Sequence, residues 1–174
     1  ARLLRLNLDY SDALIPLDQE MELLKIYLQL SQIRYPDKIS FTMEVEPSMQ
    51  PMDILIPSML LQPFVENAVI HGVAPKKGSG IINISFRMQD DEIIATVSDT
   101  GVGRMASAQL KLRDPHKPMA TEITIERLQL LRKKSTEVPL IIQDLYAGGK
   151  PSGTEVILHI PFQTNQRHDQ RNSD

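Results

Sequence analysis

A mostly apolar run near the middle of the chain contains three polar side chains that are suited to catalysis. Glu66 and Asn67 lie inside it, and His71 follows four residues after Asn67. The pattern predicts a helix over residues 57–72, in which Asn67 and His71 share a face. Within a helix, asparagine costs about half a kcal/mol relative to alanine. Either a bound ion or ligand uses these groups, or they simply point into solvent on an amphipathic helix.

Asp99 is the second candidate, at the end of a predicted strand over residues 92–99. It has the same parity as Ile93 and the apolar residues between them, so it ends an apolar row that faces the helices. A carboxylate there requires a partner. Gly101 and Gly103 follow it and allow a ligand to approach the backbone closely. The alternative interpretation is a strand-end turn in which Asp99 accepts hydrogen bonds from local N–H groups.

Thr154 is the third candidate. It follows Gly153 and begins a predicted strand, with the same parity as the apolar residues up to Ile160. Its hydroxyl is therefore predicted to face the inner side of the sheet. Taken alone, a β-branched residue that starts a strand after a glycine turn is the simpler interpretation.

A long predicted loop, residues 100–121, separates Asp99 from the next element, and loops of this length are often functional lids. Over residues 100–120 its basic residues outnumber its one acidic residue, Asp114, by three: they are Arg104, Lys111, Arg113 and Lys117. This excess predicts a cover for phosphate groups. A solvated basic loop is the alternative.

The elements that must position these residues follow from periodicity and from the places of proline and glycine. In chain order we predict a helix over 18–35, a strand over 38–46, a Pro- and Met-rich loop over 47–56, the helix 57–72, a hairpin of strands 81–88 and 92–99, the loop, a helix over 122–134, and strands 139–146 and 154–162. This order predicts an α+β fold, a two-layer α/β sandwich in which a mixed β-sheet carries helices on one face.

The two ends of the chain differ in character. In the first helix, steps of four and three residues separate a set of side chains, a spacing that predicts a coiled-coil seam. Packing of the same side chains on the helix's own domain is an equal alternative. The set is Leu17, Met21, Leu24, Leu28, Ser31 and Tyr35. Residues 163–174 contain no aliphatic side chain and are predicted to be disordered.

Composition excludes several classes of protein. The 174 residues carry 19 basic and 22 acidic side chains, and a net charge of −3 is too near neutrality for a general nucleic-acid binder. With no cysteine, the chain has no disulfide framework, thiolate zinc site or cysteine nucleophile. No apolar run approaches the roughly 18 residues of a membrane span.

In combination, the Glu66-Asn67 pair, Asp99-x-Gly-x-Gly, the long loop and Gly153-Thr154 resemble the ATP-binding domain of GHKL ATPases, which has the Bergerat fold. Residues 57–72, PSMLLQPFVENAVIHG, resemble the N box of LytS-like sensor histidine kinases, and residues 15–37 are similar to the second dimerisation helix of that family. The resemblance covers about residues 10–162. It divides the chain into a partial dimerisation helix segment (1–36), the GHKL ATP-binding catalytic domain (37–162) and the disordered tail (163–174).

The resemblance implies ATP and Mg²⁺ as cofactors, and it implies roles at the phosphate end of the site. Asn67 would bind Mg²⁺ through its amide oxygen, a hard ligand that suits this ion. Glu66 would be the catalytic polar or general-base residue. His71, Lys111 and Lys117 are the further residues expected to bind ATP near its phosphates.

At the adenine end, the resemblance implies that Asp99 accepts a hydrogen bond from the 6-amino group of the base. A carboxylate there favours ATP over GTP, which presents an acceptor at that position. Gly101 and Gly103 would hinge the lid, and Thr154 would help to hold the adenine through water.

The implied reaction is transfer of the ATP γ-phosphoryl group to a histidine and then to a response regulator, of which a LytTR-type regulator is one candidate. None of the histidines, which are His71, His116, His159 and His168, lies on an upstream helix. The acceptor is therefore expected before Ala1, in the chain's own dimerisation and phosphoacceptor domain. The resemblance also implies a homodimeric parent anchored in the inner or cytoplasmic membrane, with this region in the cytoplasm and no nucleic-acid partner.

Two positions depart from the family pattern. Ile70 stands where the family often has a lysine just before the N-box histidine, and Ala120 stands where a lid glycine is expected. These departures motivate one alternative, a degenerate nucleotide-binding or dimerisation module without kinase activity. Another GHKL ATPase or a serine kinase is the second alternative.

Overall fold

The elements below come from a computed structural model that describes residues 14–104, 119–131 and 139–164. They are β1 (Leu14–Pro16), α1 (Leu17–Arg34), β2 (Ile39–Val45), a 3₁₀ turn (Pro51–Asp53), β3 (Ile54–Pro57), α2 (Gln62–Asn67) continued by a π-helical turn (Ala68–Val73), β4 (Gly80–Gln89), β5 (Glu92–Asp99), α3 (Met119–Leu131), β6 (Leu140–Ala147), β7 (Lys150–Pro161) and β8 (Gln163–Thr164).

Five of these strands form one twisted sheet in the order β2-β4-β5-β7-β6. Strands β2 and β4 are parallel, whereas the pairs β4–β5, β5–β7 and β6–β7 are antiparallel. The sheet is therefore mixed, as predicted. The predicted hairpin is also present, because Gln89 pairs with Glu92 and the two aspartates between them make the turn.

The sheet buries one face against helices. Along β5 the buried and half-buried residues alternate strictly, and Asp99 ends the buried row. Side chains from all three helices join that row in a single core; among them are Leu24, Leu28, Phe64, Val65 and Leu128, packed with Ile84, Ala95 and Leu158. This two-layer arrangement confirms the predicted α+β sandwich.

Helix α1 packs on its own domain. Leu17, Leu24 and Leu28 are fully buried, so the seam noted in the sequence faces the core of this chain. The opposite side of the helix carries an exposed apolar stripe with steps of three and four residues: Leu23, Ile26, Leu30 and Ile33. The domain boundary at residue 36 stays a prediction.

The predicted single helix over 57–72 is wrong in its first half. Pro57 ends strand β3 and pairs with Leu14, and the chain turns through residues 58–61 before α2 begins. Pro63 explains the break, because a proline inside a helix lacks an N–H group and clashes with the carbonyl four residues earlier. It is tolerated in the first turn of α2.

A second, small sheet was not predicted. Strand β3, part of which lies in the predicted loop 47–56, pairs antiparallel with both β1 and β8. Gln163 and Thr164 form β8, so the predicted disordered tail begins too early. A two-residue strand forms because a neighbouring strand offers an unpaired edge, and it has too few residues to show an alternating side-chain pattern. The sequence analysis therefore did not predict β8. Residues 165–174 lie outside the described ranges.

Two other boundaries differ from the prediction. Helix α3 already includes Met119, three residues before its predicted start, and it is described as far as Leu131. Its predicted end at residue 134 lies outside the described residues. Strand β7 begins at Lys150 rather than Thr154, because Gly148 and Gly149 alone make the turn from β6, both with positive φ. Residues 105–118, with Lys111 and Lys117, lie outside the described residues.

Candidate functional site

The end of β5 and the π-helical turn meet at Asp99. An added Cβ at Gly72 would lie 2.7 Å from Asp99 Oδ1, and one at Gly101 would lie 2.2 Å from the carbonyl carbon of Gly72. The backbone N–H of Val102 donates to the Gly72 carbonyl at 3.0 Å. Only glycine at positions 72 and 101 permits this approach, so the two motifs are in direct contact.

Asp99 is a buried carboxylate with few partners. Its side chain is 5% exposed, and Oδ1 accepts a hydrogen bond from the Gly101 N–H at 2.7 Å. Burial raises the pKa of Asp99 from 3.8 to about 6, against the opposing effects of the N–H groups of Gly101 and Thr154 and the charge of Lys76. The interpretation of Asp99 as the acceptor of a strand-end turn is therefore correct. The raised pKa shows that these local hydrogen bonds do not fully offset the cost of burying the carboxylate.

Thr154 lies beside Asp99 in the sheet. The two residues are register partners between β5 and β7, and Thr154 is also opposite Asp144 of β6. Gly153, at φ +145, comes so close to β5 that a Cβ there would lie 1.8 Å from the Asp99 carbonyl oxygen. Glycines at 72, 101 and 153 thus surround Asp99 on three sides.

The stretch that leads away from Asp99 is held by strand residues. Gly103, at φ +78, lies against Pro151, where an added Cβ would come within 2.9 Å of the proline ring. Arg104 makes a bidentate pair with Asp144, with both N···O distances at 2.8 Å. The sequence analysis counted Arg104 among the basic residues of the lid, but its guanidinium binds Asp144 on strand β6.

The N box continues from α2 into the π-helical turn. Glu66 is half-buried and its Oε1 accepts a hydrogen bond from Gln62 Nε2 at 2.9 Å, while the Asn67 side chain is exposed. His71, half-buried, lies within the π-helical turn, one residue before the Gly72 contact with Asp99. Local π turns are rare and occur frequently at functional sites. Asn67 stands at the junction of the two helical types.

Lysines stabilise the far end of the N box. Lys38 Nζ donates to the carbonyls of Ala74 and Lys76, both at 2.9 Å. Lys76 Nζ in turn donates to the Thr100 carbonyl next to Asp99. Lys76 therefore holds the loop after Asp99, rather than standing free as a substitute for the lysine that Ile70 replaces. Ile70 itself is 43% exposed.

The structure brings together the end of the N box, Asp99, Gly101 and Thr154, and it places Glu66 and Asn67 on the preceding helical turn. Sequence reasoning overlooked the contact roles of Gly72 and Gly153. It also missed Glu20, a fully buried glutamate of α1. Glu20 lies three residues after Leu17 and four before Leu24, a spacing that places it on the buried face and would have revealed it.

The donor set suits a metal ion that is shared with a ligand. Across the described ranges, no group of three or more histidine, aspartate or glutamate side chains could hold a metal ion alone. Mg²⁺ is commonly bound by one or two protein oxygens together with substrate phosphates and water. An exposed amide at Asn67 and the carboxylate of Glu66 fit that pattern.

Comparison with solved structures defines the class of fold. The catalytic domain of histidine kinase ThkA, in a nucleotide-free form, superposes with a TM-score of 0.58 at 12% identity, over 86% of this chain and 96% of that one. At this identity the likeness concerns the fold alone. The two-layer sandwich is that of a histidine kinase catalytic domain.

Comparison with known sequences identifies relatives among the sensor histidine kinases. A family model described as Histidine kinase matches residues 1–39. Sensor histidine kinase YpdA of Escherichia coli (strain K12) is 29% identical over 164 residues, 94% of this chain and 27% of the relative. Sensor protein LytS of Oceanobacillus iheyensis is 36% identical over 104 residues, 59% of this chain and 17% of the relative.

These findings confirm the resemblance that the motifs indicated: the chain is a relative of the LytS-like sensor histidine kinases, with the GHKL fold of their catalytic domains. The chain spans about a quarter or less of the length of these two curated relatives. Within the described part of the chain, no helix is long and apolar enough to cross a membrane.

Proposed function

We propose that this chain binds Mg·ATP and is the catalytic part of a sensor histidine kinase. The observation that carries the proposal is the corner around Asp99, where a buried carboxylate is enclosed by three glycines and touches the end of the N box. Glycine at these positions lets the end of the N box, the loop after β5 and the start of the Thr154 segment pack directly against Asp99, so that the motif residues meet at one corner. The kinship with sensor histidine kinases supports the same function.

Asp99 supplies the selectivity for adenine. Its ionised carboxylate is an acceptor only, so it pairs with the 6-amino donor of adenine and repels the oxygen that guanine presents there. Its Oδ1 is already oriented by the Gly101 N–H, and the amino group of the base binds to the same carboxylate. Thr154, its neighbour across the β5–β7 pair, holds the adenine through water.

The N box serves the phosphate end. Asn67 contributes its amide oxygen to Mg²⁺, and Glu66, held by Gln62, is the polar or general-base residue at the reacting centre. When bound, Mg²⁺ neutralises charge as the γ-phosphoryl group leaves. His71, Lys111 and Lys117 contact the phosphates, while Gly101 and Gly103 let the intervening segment close over them.

The phosphoryl acceptor is a histidine outside this chain. Among the described histidines, His71 lies in the site itself, and His159 pairs with Glu92 at 3.2 Å on strand β7. From the acceptor, the group passes to an aspartate of a response regulator, with a LytTR-type regulator as one candidate. We place the site in the cytoplasm, on a parent protein anchored in the inner or cytoplasmic membrane.

The exposed stripe of α1, formed by Leu23, Ile26, Leu30 and Ile33, is the surface through which the parent dimerises. These side chains are between 44% and 76% exposed and recur at helical spacing, which is the geometry of a helix–helix seam. Contact with a second copy, or with the phosphoacceptor helix of the same parent, covers this apolar surface.

Calorimetry with Mg·ADP tests the binding half of the proposal. We expect saturable binding, and Asn67→Ala should weaken it by roughly 100-fold in Mg²⁺, about 2.7 kcal/mol, with a far smaller loss when Mg²⁺ is chelated. Asn83→Ala, a change on strand β4, is the matched control. A folded chain that binds neither Mg·ADP nor Mg·ATP would overturn the proposal.

Transfer requires the longer protein. Incubation of the parent with γ-labelled ATP should produce an acid-labile, alkali-stable phosphohistidine that Glu66→Gln abolishes. Binding of ATP without any phosphohistidine would favour a degenerate module, and an acid-stable phosphoserine would indicate a serine kinase.

A further inference from the structure

Glu20 of α1 is buried, and its partners lie far along the chain. The side chain is 1% exposed. Its two carboxylate oxygens accept hydrogen bonds from the backbone N–H groups of Met59, at 2.9 Å, and Leu61, at 3.3 Å. Burial raises the pKa of Glu20, and these N–H groups and the charge of Arg127 oppose the rise.

The turn that Glu20 holds is the one from which the N box begins. Met59 has left-handed backbone geometry, at φ +56, and Leu60 and Leu61 are fully buried. The Leu61 carbonyl accepts the first bonds of α2, from the N–H groups of Phe64 and Val65 at 3.0 and 3.1 Å. A shift of this turn would therefore shift α2 and the Glu66-Asn67 pair at its end.

Helix α3 reaches the same turn. Arg127 is 8% exposed, and its Nη2 donates to the Ser58 carbonyl at 3.1 Å. Three helices thus converge on residues 58–61: α1 through Glu20, α3 through Arg127, and α2 through its first residues.

The other end of the N box is also held from the segment that contains α1. Lys38, four residues after the end of that helix, donates to the carbonyls of Ala74 and Lys76 just beyond the π-helical turn. An acid therefore binds N–H groups among the first residues of the N box, and a base binds carbonyls just after its last residue.

We propose that Glu20 and Lys38 are positioning residues that couple the orientation of α1 to the nucleotide site by holding the N box at its two ends. This inference rests on the proposed function, since it assigns the coupling to a nucleotide site. Glu20 acts on the metal end, because the turn it fixes leads into Glu66 and Asn67. Lys38 acts on the adenine end, because the backbone it fixes follows the Gly72 contact with Asp99.

The test compares Glu20→Gln with Glu22→Gln, and Lys38→Gln with Lys25→Gln. Each control removes the same charge from an exposed position on α1. Affinity for Mg·ADP is measured by calorimetry, and affinity for adenosine by ligand-detected NMR. Glu20→Gln should lose about 10-fold in Mg·ADP affinity, the lower end of the loss seen when a group that orients a metal ligand is removed, and keep its affinity for adenosine. Lys38→Gln should lose affinity for both, whereas the two controls should match the wild type.

The outcomes separate this inference from the proposed function. A wild-type chain that binds no nucleotide contradicts the function. A wild type that binds, with Glu20→Gln equal to it or weakened equally toward both ligands, overturns the coupling by Glu20. Unchanged binding in Lys38→Gln overturns the other half. Glu20→Asp keeps the charge but shortens the reach, so it carries the same test, with a smaller selective loss expected, if the glutamine variant does not fold.

Discussion

Asp99 and Glu20 are two buried carboxylates that the fold uses in different ways. Burial raises the pKa of both. Asp99 lies at the end of β5, is surrounded by glycines and accepts a hydrogen bond from the Gly101 N–H. Glu20 lies in α1 and accepts hydrogen bonds from two N–H groups of a turn about 40 residues further along the chain.

The difference shows how the same unfavourable burial can serve recognition or architecture. Asp99 lies where glycines let three backbone segments pack closely around it, next to the residues expected to bind the nucleotide. Glu20 accepts hydrogen bonds from the N–H groups of a distant turn and so fixes the backbone that carries them.

Gly153→Ala should have the largest effect, because its side chain would collide with the backbone of β5. The new Cβ would meet the Asp99 carbonyl oxygen at 1.8 Å, at a φ of +145. We expect a loss of about 4 kcal/mol or more in the free energy of unfolding, measured with urea. Gly149→Ala, also at positive φ but with open space around it, should cost only about 1–2 kcal/mol. Equal losses in the two variants would show that contact with β5 is unimportant.

Glu20→Ala comes next and tests the other acid. It leaves the buried N–H of Leu61 and the partly buried N–H of Met59 without their acceptor, which should cost about 3 kcal/mol in unfolding free energy. Glu22→Ala on the exposed side of α1 should change stability by less than about 0.5 kcal/mol. Urea unfolding of both variants measures this, and a loss below 1 kcal/mol for Glu20→Ala would contradict the architectural role.

The charge of Asp99 should appear as a pH dependence of stability. Its folded-state pKa of about 6 lies above the usual 3.8, so the folded chain binds more protons than the unfolded chain between these values. Stability from this group is present below pH 3.8 and is lost as the pH rises to about 6. The wild type minus Asp99→Asn difference in unfolding free energy should therefore fall by about 1–3 kcal/mol over that range. Because every other titratable group is kept, a flat difference would refute the raised pKa.

Asp144 is a partly exposed acid that serves as the reference for the two buried acids, and its removal should have the smallest effect. Its pair with Arg104 has ideal bidentate geometry, but the Arg104 side chain is 50% exposed. Asp144→Asn should cost about 0.5 kcal/mol, with the loss shrinking in high salt. Urea unfolding at low and high ionic strength checks this, and a large salt-independent loss would place the pair with the buried groups instead.

Much of the site was visible in the sequence because the signals are local. The alternation from Ile93 to Asp99 identified the strand, its buried face and the acid at its end, and the structure confirms each. The helix 18–35 and the strand hairpin were equally clear. The start of the N box was predicted wrongly, since apolar periodicity through residues 57–61 hid a strand end and a turn. The assigned roles of Asn67, Glu66 and Lys111 stay predictions.

Periodicity and motif spacing were enough to predict the α+β class, the burial of Asp99 and the kinship with sensor histidine kinases, because they are properties of neighbouring residues. Contacts across the fold set which face of α1 is buried and where α2 begins, and they bring Glu20 and Lys38 to the two ends of the N box. They also bring Gly153 against Asp99 across the sheet. These features depend on pairings between residues about 40 or more positions apart, which loop closure and packing select and which no local pattern encodes.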